Sequence, residues 1–127
     1  VVSDFIGNDG YMNREQIEEL VFDGVEILGH SASHKNLRNV ANLGGEILES
    51  KENLENWFGV SIVGFVYPSG KYDSRVLESV RDAGYQAAFT VHEGVTDLNG
   101  DMFELPRIRM DNREYFRKIC NRIKCED

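Results

Sequence analysis

Two of the three histidines in this 127-residue chain, His30 and His34, stand four positions apart in the stretch Gly29-His30-Ser31-Ala32-Ser33-His34. Neutral imidazole is a borderline ligand that suits zinc and similar divalent ions. Two rings leaving one strand end together could share an ion, with Ser31 and Ser33 orienting them from behind. The same spacing also fits two surface histidines in a loop, with Ser33 capping a turn. Short histidine pairs arise by chance, so the spacing alone leaves both readings open.

The elements that must position this pair can be read from periodicity and punctuation. Val25–Leu28, opened by Gly24, is a short apolar-rich run expected to be a buried strand that delivers His30 and His34. Upstream, Val1-Val2-Ser3 resembles the tail of a strand, and Asp4–Gly10 is a polar loop with a turn signal at Asp9-Gly10. Asn13 with Gln16 three residues later forms a capping-box pattern for a helix through Phe22, with Ile17, Leu20 and Val21 as its buried stripe. Glu15, Glu18 and Glu19 read as its solvated face.

Downstream, Lys35–Leu43 is expected to be loop. Ile47, Leu48, Leu54 and Trp57 mark an amphipathic helix stopped at Gly59. At that spacing Trp57 reads as core or partly buried structure in preference to a sugar-stacking platform. Ser61–Val66 is a second strand, followed by the loop Tyr67–Tyr72. A helix capped by Asp73 or Ser74 carries Val76, Leu77 and Val80 and closes at Gly84. Gln86–Val91 is a third strand, His92–Glu104 a loop, and Pro106–Met110 a fourth strand, before a final helix opened by Asp111 and Glu114. Strands alternating with helices imply parallel βαβ units, hence an α/β fold. The loops Gly29–His34 and Tyr67–Tyr72 both follow strands, so both should open at the carboxyl ends of the sheet, where α/β folds bind ligands.

Composition sets outer bounds. One domain over residues 1–127 is expected, large enough to bury a core without staples. A formal net charge of −8 argues against nucleic acid as a partner and is compatible with a neutral or cationic glycan. No apolar run reaches the length of a membrane span, and no signal peptide is visible. The chain begins Val1-Val2, which suggests a processed or excised product. Cys120 and Cys125 fall on the last helical stretch and point in different directions, so two free thiols are expected.

Four segments, in order, resemble the polysaccharide deacetylases, the carbohydrate esterases of family 4 with a NodB-like domain. Val25–Leu37, VEILGHSASHKNL, is similar to that family's H-(S/T)-x-x-H metal motif after an E-I-x-x strand. Phe65–Tyr72, FVYPSGKY, resembles its F-x-Y-P-Y-G-x-Y segment. Asp82–Thr90 resembles x-A-G-Y-x-x-A-F-T, and Leu105–Ile108 the late L-P-R-I strand. Any one of these is weak alone; their shared order makes the signal strong.

The resemblance implies an irregular (β/α)7-type barrel of about seven strands, of which this chain supplies only part and lacks the first. It implies a metal-dependent hydrolase that removes N-acetyl groups from an amino-sugar polymer. His30 and His34 would be ligands to zinc, with cobalt, nickel or manganese as alternatives. The Pro68-Ser69-Gly70 turn would be the oxyanion site, using the Ser69 backbone N–H, with Tyr67, Pro68 and Gly70 around the substrate. An ordinary Pro-Gly turn is the competing reading. Where the family usually has tyrosine, Ser69 keeps the backbone donor but gives no aromatic wall.

Arg107 could face the barrel interior and pair with a catalytic aspartate. The family's third ligand and general base come from a T-F-D-D motif, and no Asp-Asp pair occurs in this chain. Asp4, in VVSDFIG, matches a segment downstream of that motif and is read as a loop or capping residue. The late L-x-x-H histidine is also absent, and His92 reads as an exposed loop histidine in preference to a general acid. Two function classes follow: a carbohydrate N-deacetylase whose fragment is inactive alone, or a non-catalytic metal- or glycan-binding relative. The family is usually secreted or tied to the cell envelope. An open barrel edge would favour a homo-oligomer.

Overall fold

The structure is a computed structural model that describes residues 1–96 and 99–109. The expected end of the fourth strand at Met110, the final helix and both cysteines lie outside the described residues.

Helix α1, Arg14–Phe22, starts where the capping box requires. The Asn13 side chain accepts from the Gln16 N–H, and the Gln16 side chain accepts from the Asn13 N–H, each at 2.9 Å. Ile17 is its buried residue, while Leu20 and Val21 are only half-buried. A π-helical stretch, Gly45–Glu49, runs into helix α2, Ser50–Phe58. Helix α2 ends at Gly59 with φ 66°, the left-handed stop that glycine adopts without a Cβ clash. Helix α3, Ser74–Asp82, is capped by Asp73, whose carboxylate accepts from the Val76 N–H at 3.0 Å.

The sheet is small and wholly parallel. Its strands are β1 (Gly64–Val66), β2 (Ala87–Glu93) and β3 (Leu105–Arg107), in the order β1-β2-β3. Phe65 sits opposite Ala88, and Glu93 opposite Arg107. Ile47, Leu54, Phe65, Tyr67, Val76 and Val80 form the centre of the core, packed between this sheet and the helices.

Several sequence expectations need correction. Val25–Leu28 is extended but is not a ladder strand: only Gly29 pairs, with Phe65, donating to the Gly64 carbonyl and accepting from the Val66 N–H. This stretch lies outside β1, and Val25 and Glu26 are exposed, so little holds them in register. The second strand is shorter than Ser61–Val66, because only Gly64–Val66 finds partners on β2. The third strand is longer than expected: pairing of Glu93 with Arg107 carries it through His92. Val2 is extended, and the Val1 ammonium and the Ser3 N–H donate to the carbonyls of Leu28 and Ser31 without forming a ladder strand; Ser3–Phe5 forms a single 3-10 turn. The expected loop after His34 also holds a short 3-10 turn, Leu37–Asn39.

Candidate functional site

Parallel pairing puts four strand ends on one edge. His30 follows Gly29, the Tyr67–Tyr72 loop follows β1, His92 lies near the end of β2, and Arg107 ends β3. Gly29 is favoured for a steric reason. A Cβ there would lie 2.5 Å from the Tyr85 hydroxyl oxygen, inside any real contact distance.

The two histidine rings meet edge-on, with centroids 4.8 Å apart and planes at 72°. Nδ1 of His30 lies 2.6 Å from the Val66 carbonyl oxygen. A carbonyl only accepts, so Nδ1 carries the proton and Nε2 keeps its lone pair. Metal-binding histidines are commonly oriented through their second nitrogen in this way. Burial lowers the His30 pKa below its ordinary value; the bond to Val66 opposes this, and the charges of His34 and Arg107 act in the same direction as burial. The net lowering favours the neutral imidazole, the form a metal needs. The donor chemistry fits two imidazole ligands. Among the described residues no group of three His, Cys, Asp or Glu side chains could hold an ion.

The loop between the rings is tightly bonded. Ser31 and His34 both have positive φ, 61° and 58°. The Ser31 hydroxyl accepts from the His34 N–H at 3.0 Å, so Ser31 orients the loop backbone and not a ring. Ser33 turns away to Glu46: its N–H donates to Oε2 at 2.9 Å and its hydroxyl to Oε1 at 2.5 Å. Asp4 is exposed in its turn, and its N–H donates to the Ala32 carbonyl at 3.0 Å. Its backbone, not its carboxylate, meets the histidine loop.

The Tyr67–Tyr72 loop is strained at its tip. Ser69 has φ 52° and Gly70 φ 65°. The N–H groups of Gly70 and Lys71 donate to the carbonyls of Tyr67 and Pro68, and the Ser69 N–H stands outside both bonds. Tyr67 and Pro68 are buried. The Tyr67 hydroxyl donates to the Phe103 carbonyl at 2.9 Å, and its ring stacks on Tyr72 at 4.3 Å. These two expected substrate-binding side chains thus support the turn from beneath, leaving Ser69 exposed at its tip.

Arg107 donates from Nε to the Thr90 carbonyl at 2.6 Å, tying β3 to β2. His92 is exposed on β2, and its N–H donates to the Thr90 hydroxyl at 3.1 Å. Trp57 is half-buried, with the Arg14 guanidinium 4.2 Å above its ring centroid, so one face is already occupied.

Two residues that organise the site escaped the sequence reading. Glu46 holds Ser33. Arg75 donates to the carbonyls of Leu37, Arg38 and Val40, pinning the segment that follows His34. Both act across long sequence separations, and no spacing rule singles them out.

The geometry defines a mixed α/β domain with a small parallel sheet and a histidine pair at its carboxyl edge. A family model described as polysaccharide deacetylase matches residues 4–88, and the chain belongs to that family. None of the curated proteins matches it. A polysaccharide deacetylase from Bacillus cereus is similar in structure, with TM-score 0.84 at 26% identity over 92% of this chain and 39% of that one. A candidate polysaccharide deacetylase from Bacillus anthracis gives 0.81 at 26% identity, over 87% of this chain and 36% of that one. A Streptococcus pyogenes deacetylase in complex with acetate shares the fold, with TM-score 0.82 and 23% identity over 87% of this chain and 50% of that one. The chain therefore spans 36–50% of the length of these three structures.

Proposed function

We propose that this domain carries the histidine half of a metal-dependent carbohydrate N-deacetylase site, built on part of an irregular (β/α) barrel. The observation that carries this reading is the bond from His30 Nδ1 to the Val66 carbonyl, which fixes a ligand tautomer before any metal arrives. His30 and His34 would hold a divalent ion, zinc first and cobalt, nickel or manganese as alternatives. Such an ion supplies activation of water and polarisation of an acetamide carbonyl. The Ser69 N–H is the chain's own donor for a developing oxyanion, presented on a turn in which Pro68 is rigid and Gly70 permits the left-handed backbone. Arg107, whose charge reaches His30, would favour anionic groups at the same edge.

The reading requires a carboxylate ligand and a general base from outside these residues. The similar structures, of which the chain spans 36–50%, have chain to supply them. The described residues contain no helix long and apolar enough to cross a membrane.

Cobalt and zinc titration by calorimetry tests the reading, with a His30→Ala/His34→Ala variant as control. Histidine-dependent heat is expected, weaker than a complete site would give. Equal heats from both proteins would overturn it. Acetate release from N-acetylglucosamine oligomers should be slight from the 127-residue chain, since loss of a general base typically lowers rates by about 10²- to 10⁴-fold. A longer polypeptide that restores the missing carboxylates should gain chelator-sensitive release that His34→Ala abolishes. No gain would favour the second reading, a non-catalytic metal- or glycan-binding relative, to which the replacement of tyrosine by Ser69 also points.

A further inference from the structure

His30 and His34 are held by different means. His30 follows a residue bonded into the sheet edge, and its ring is anchored on the Val66 carbonyl. His34 is exposed, its backbone is left-handed, and its ring meets His30 only edge-on. Left-handed non-glycine residues persist only where the surroundings over-determine them. Three donors of the loop that places His34 end on one residue. The Ala32 N–H donates to the Glu46 carbonyl at 3.0 Å, and the Ser33 N–H and hydroxyl take the two carboxylate oxygens.

Glu46 is unusual in its own right. It is a carboxylate only 8% exposed, and its ion-pair partner among the described residues is Lys35, with Nζ 4.0 Å from Oε1. Burying a carboxylate is unfavourable unless hydrogen bonds compensate, and here the compensation comes from Ser33. Glu46 also lies in the π-helical stretch Gly45–Glu49, a geometry that recurs at functional sites when it interrupts a helix. Ile47, next to it, is buried in the core, so the carboxylate projects from a rigid base.

We propose that Glu46 is a positioning residue that sets the His34 ring against His30 by clamping Ser33. Its effect on metal affinity rests on reading the two histidines as a ligand pair, whereas the ring geometry can be tested without metal.

Two measurements on the 127-residue chain separate these. The first is the set of proton NMR cross-peaks between the two imidazole rings in metal-free protein. The second is cobalt affinity, followed by visible absorption. In Glu46→Ala the inter-ring cross-peaks should disappear while the Nδ1–H signal of His30 stays. Cobalt binding should weaken by about 10- to 100-fold, the usual cost of losing a residue that orients a ligand. Glu46→Gln keeps one acceptor oxygen and should recover part of both. Ser33→Ala should show a smaller loss of each, and with Glu46→Gln it carries the comparison if circular dichroism shows that Glu46→Ala does not fold. Unchanged inter-ring cross-peaks and unchanged cobalt affinity in the folded variants would overturn the assignment. Disappearance of the inter-ring cross-peaks in Glu46→Ala, with no histidine-dependent cobalt binding in the unsubstituted chain, would uphold the positioning role and reject the metal reading.

Discussion

The Nδ1 atom of His30 and the carbonyl oxygen of Val66 lie 2.6 Å apart, joining residues 36 positions apart in sequence. Val66 ends β1, so the strand itself selects the proton position on the ring. Long-range nitrogen–proton NMR at pH 8 should show His30 as the Nδ1–H tautomer. An Nε2–H tautomer would remove the structural support for its role as a ligand through Nε2.

Gly29 and Tyr85 should behave as a coupled pair. The Tyr85 hydroxyl is buried, finds no hydrogen-bond partner among the described residues, and occupies the space a Cβ at position 29 would need. Gly29→Ala is expected to destabilise the fold by about 1–3 kcal/mol through overpacking. Tyr85→Phe alone should be neutral or stabilising, because it removes an unsatisfied buried group. The double variant should recover much of the Gly29→Ala loss. Urea unfolding of the four proteins measures the coupling, and strict additivity would show that the clash is relieved elsewhere.

Tyr72 should make stability fall in strong base. Its hydroxyl donates to Glu104 Oε1 at 2.7 Å. Burial, reinforced by that bond and the carboxylate charge, pushes the phenol up to about 12 from an ordinary 10.0. Between those values the unfolded chain releases a proton that the folded chain keeps, so stability declines as pH rises. The contribution is complete below pH 10.0 and is lost as pH rises through about 12. Tyr67 and Tyr85 are raised as well, so Tyr72→Phe should flatten the decline only in part. An unchanged slope of the unfolding midpoint above pH 10.0 would contradict the Tyr72 assignment.

Trp57 is the single tryptophan in the chain, which makes it a clean reporter. Arg14→Ala should shift its emission and lower stability by about 0.5–1 kcal/mol, the range for a cation–π contact at a partly exposed site. N-acetylglucosamine oligomers should leave that emission unchanged, since the ring lies on the α1–α2 contact. Saturable quenching by the oligomers would make Trp57 a sugar platform after all.

Much of this molecule was legible in the order of its residues. The Asn13–Gln16 capping box, the Asp73 cap and the Gly59 stop formed as read, because each rests on bonds between neighbours three or four residues apart. The histidine pair and the four family segments could be found for the same reason: they are local patterns, and the parallel alternation of strands and helices put their loops on one edge. What only the tertiary structure decided depends on packing between distant segments. Val25–Leu28 has strand composition yet pairs only at Gly29, because a strand exists only where a neighbour completes its ladder. The tautomer of His30, the anchoring of Ser33 by Glu46 and the grip of Arg75 on three carbonyls all join residues 13 to 38 positions apart. Tyr67 looked suited to a substrate and turned out buried, because its direction is set by the pleat of β1 and the packing of Phe103 and Tyr72 around it.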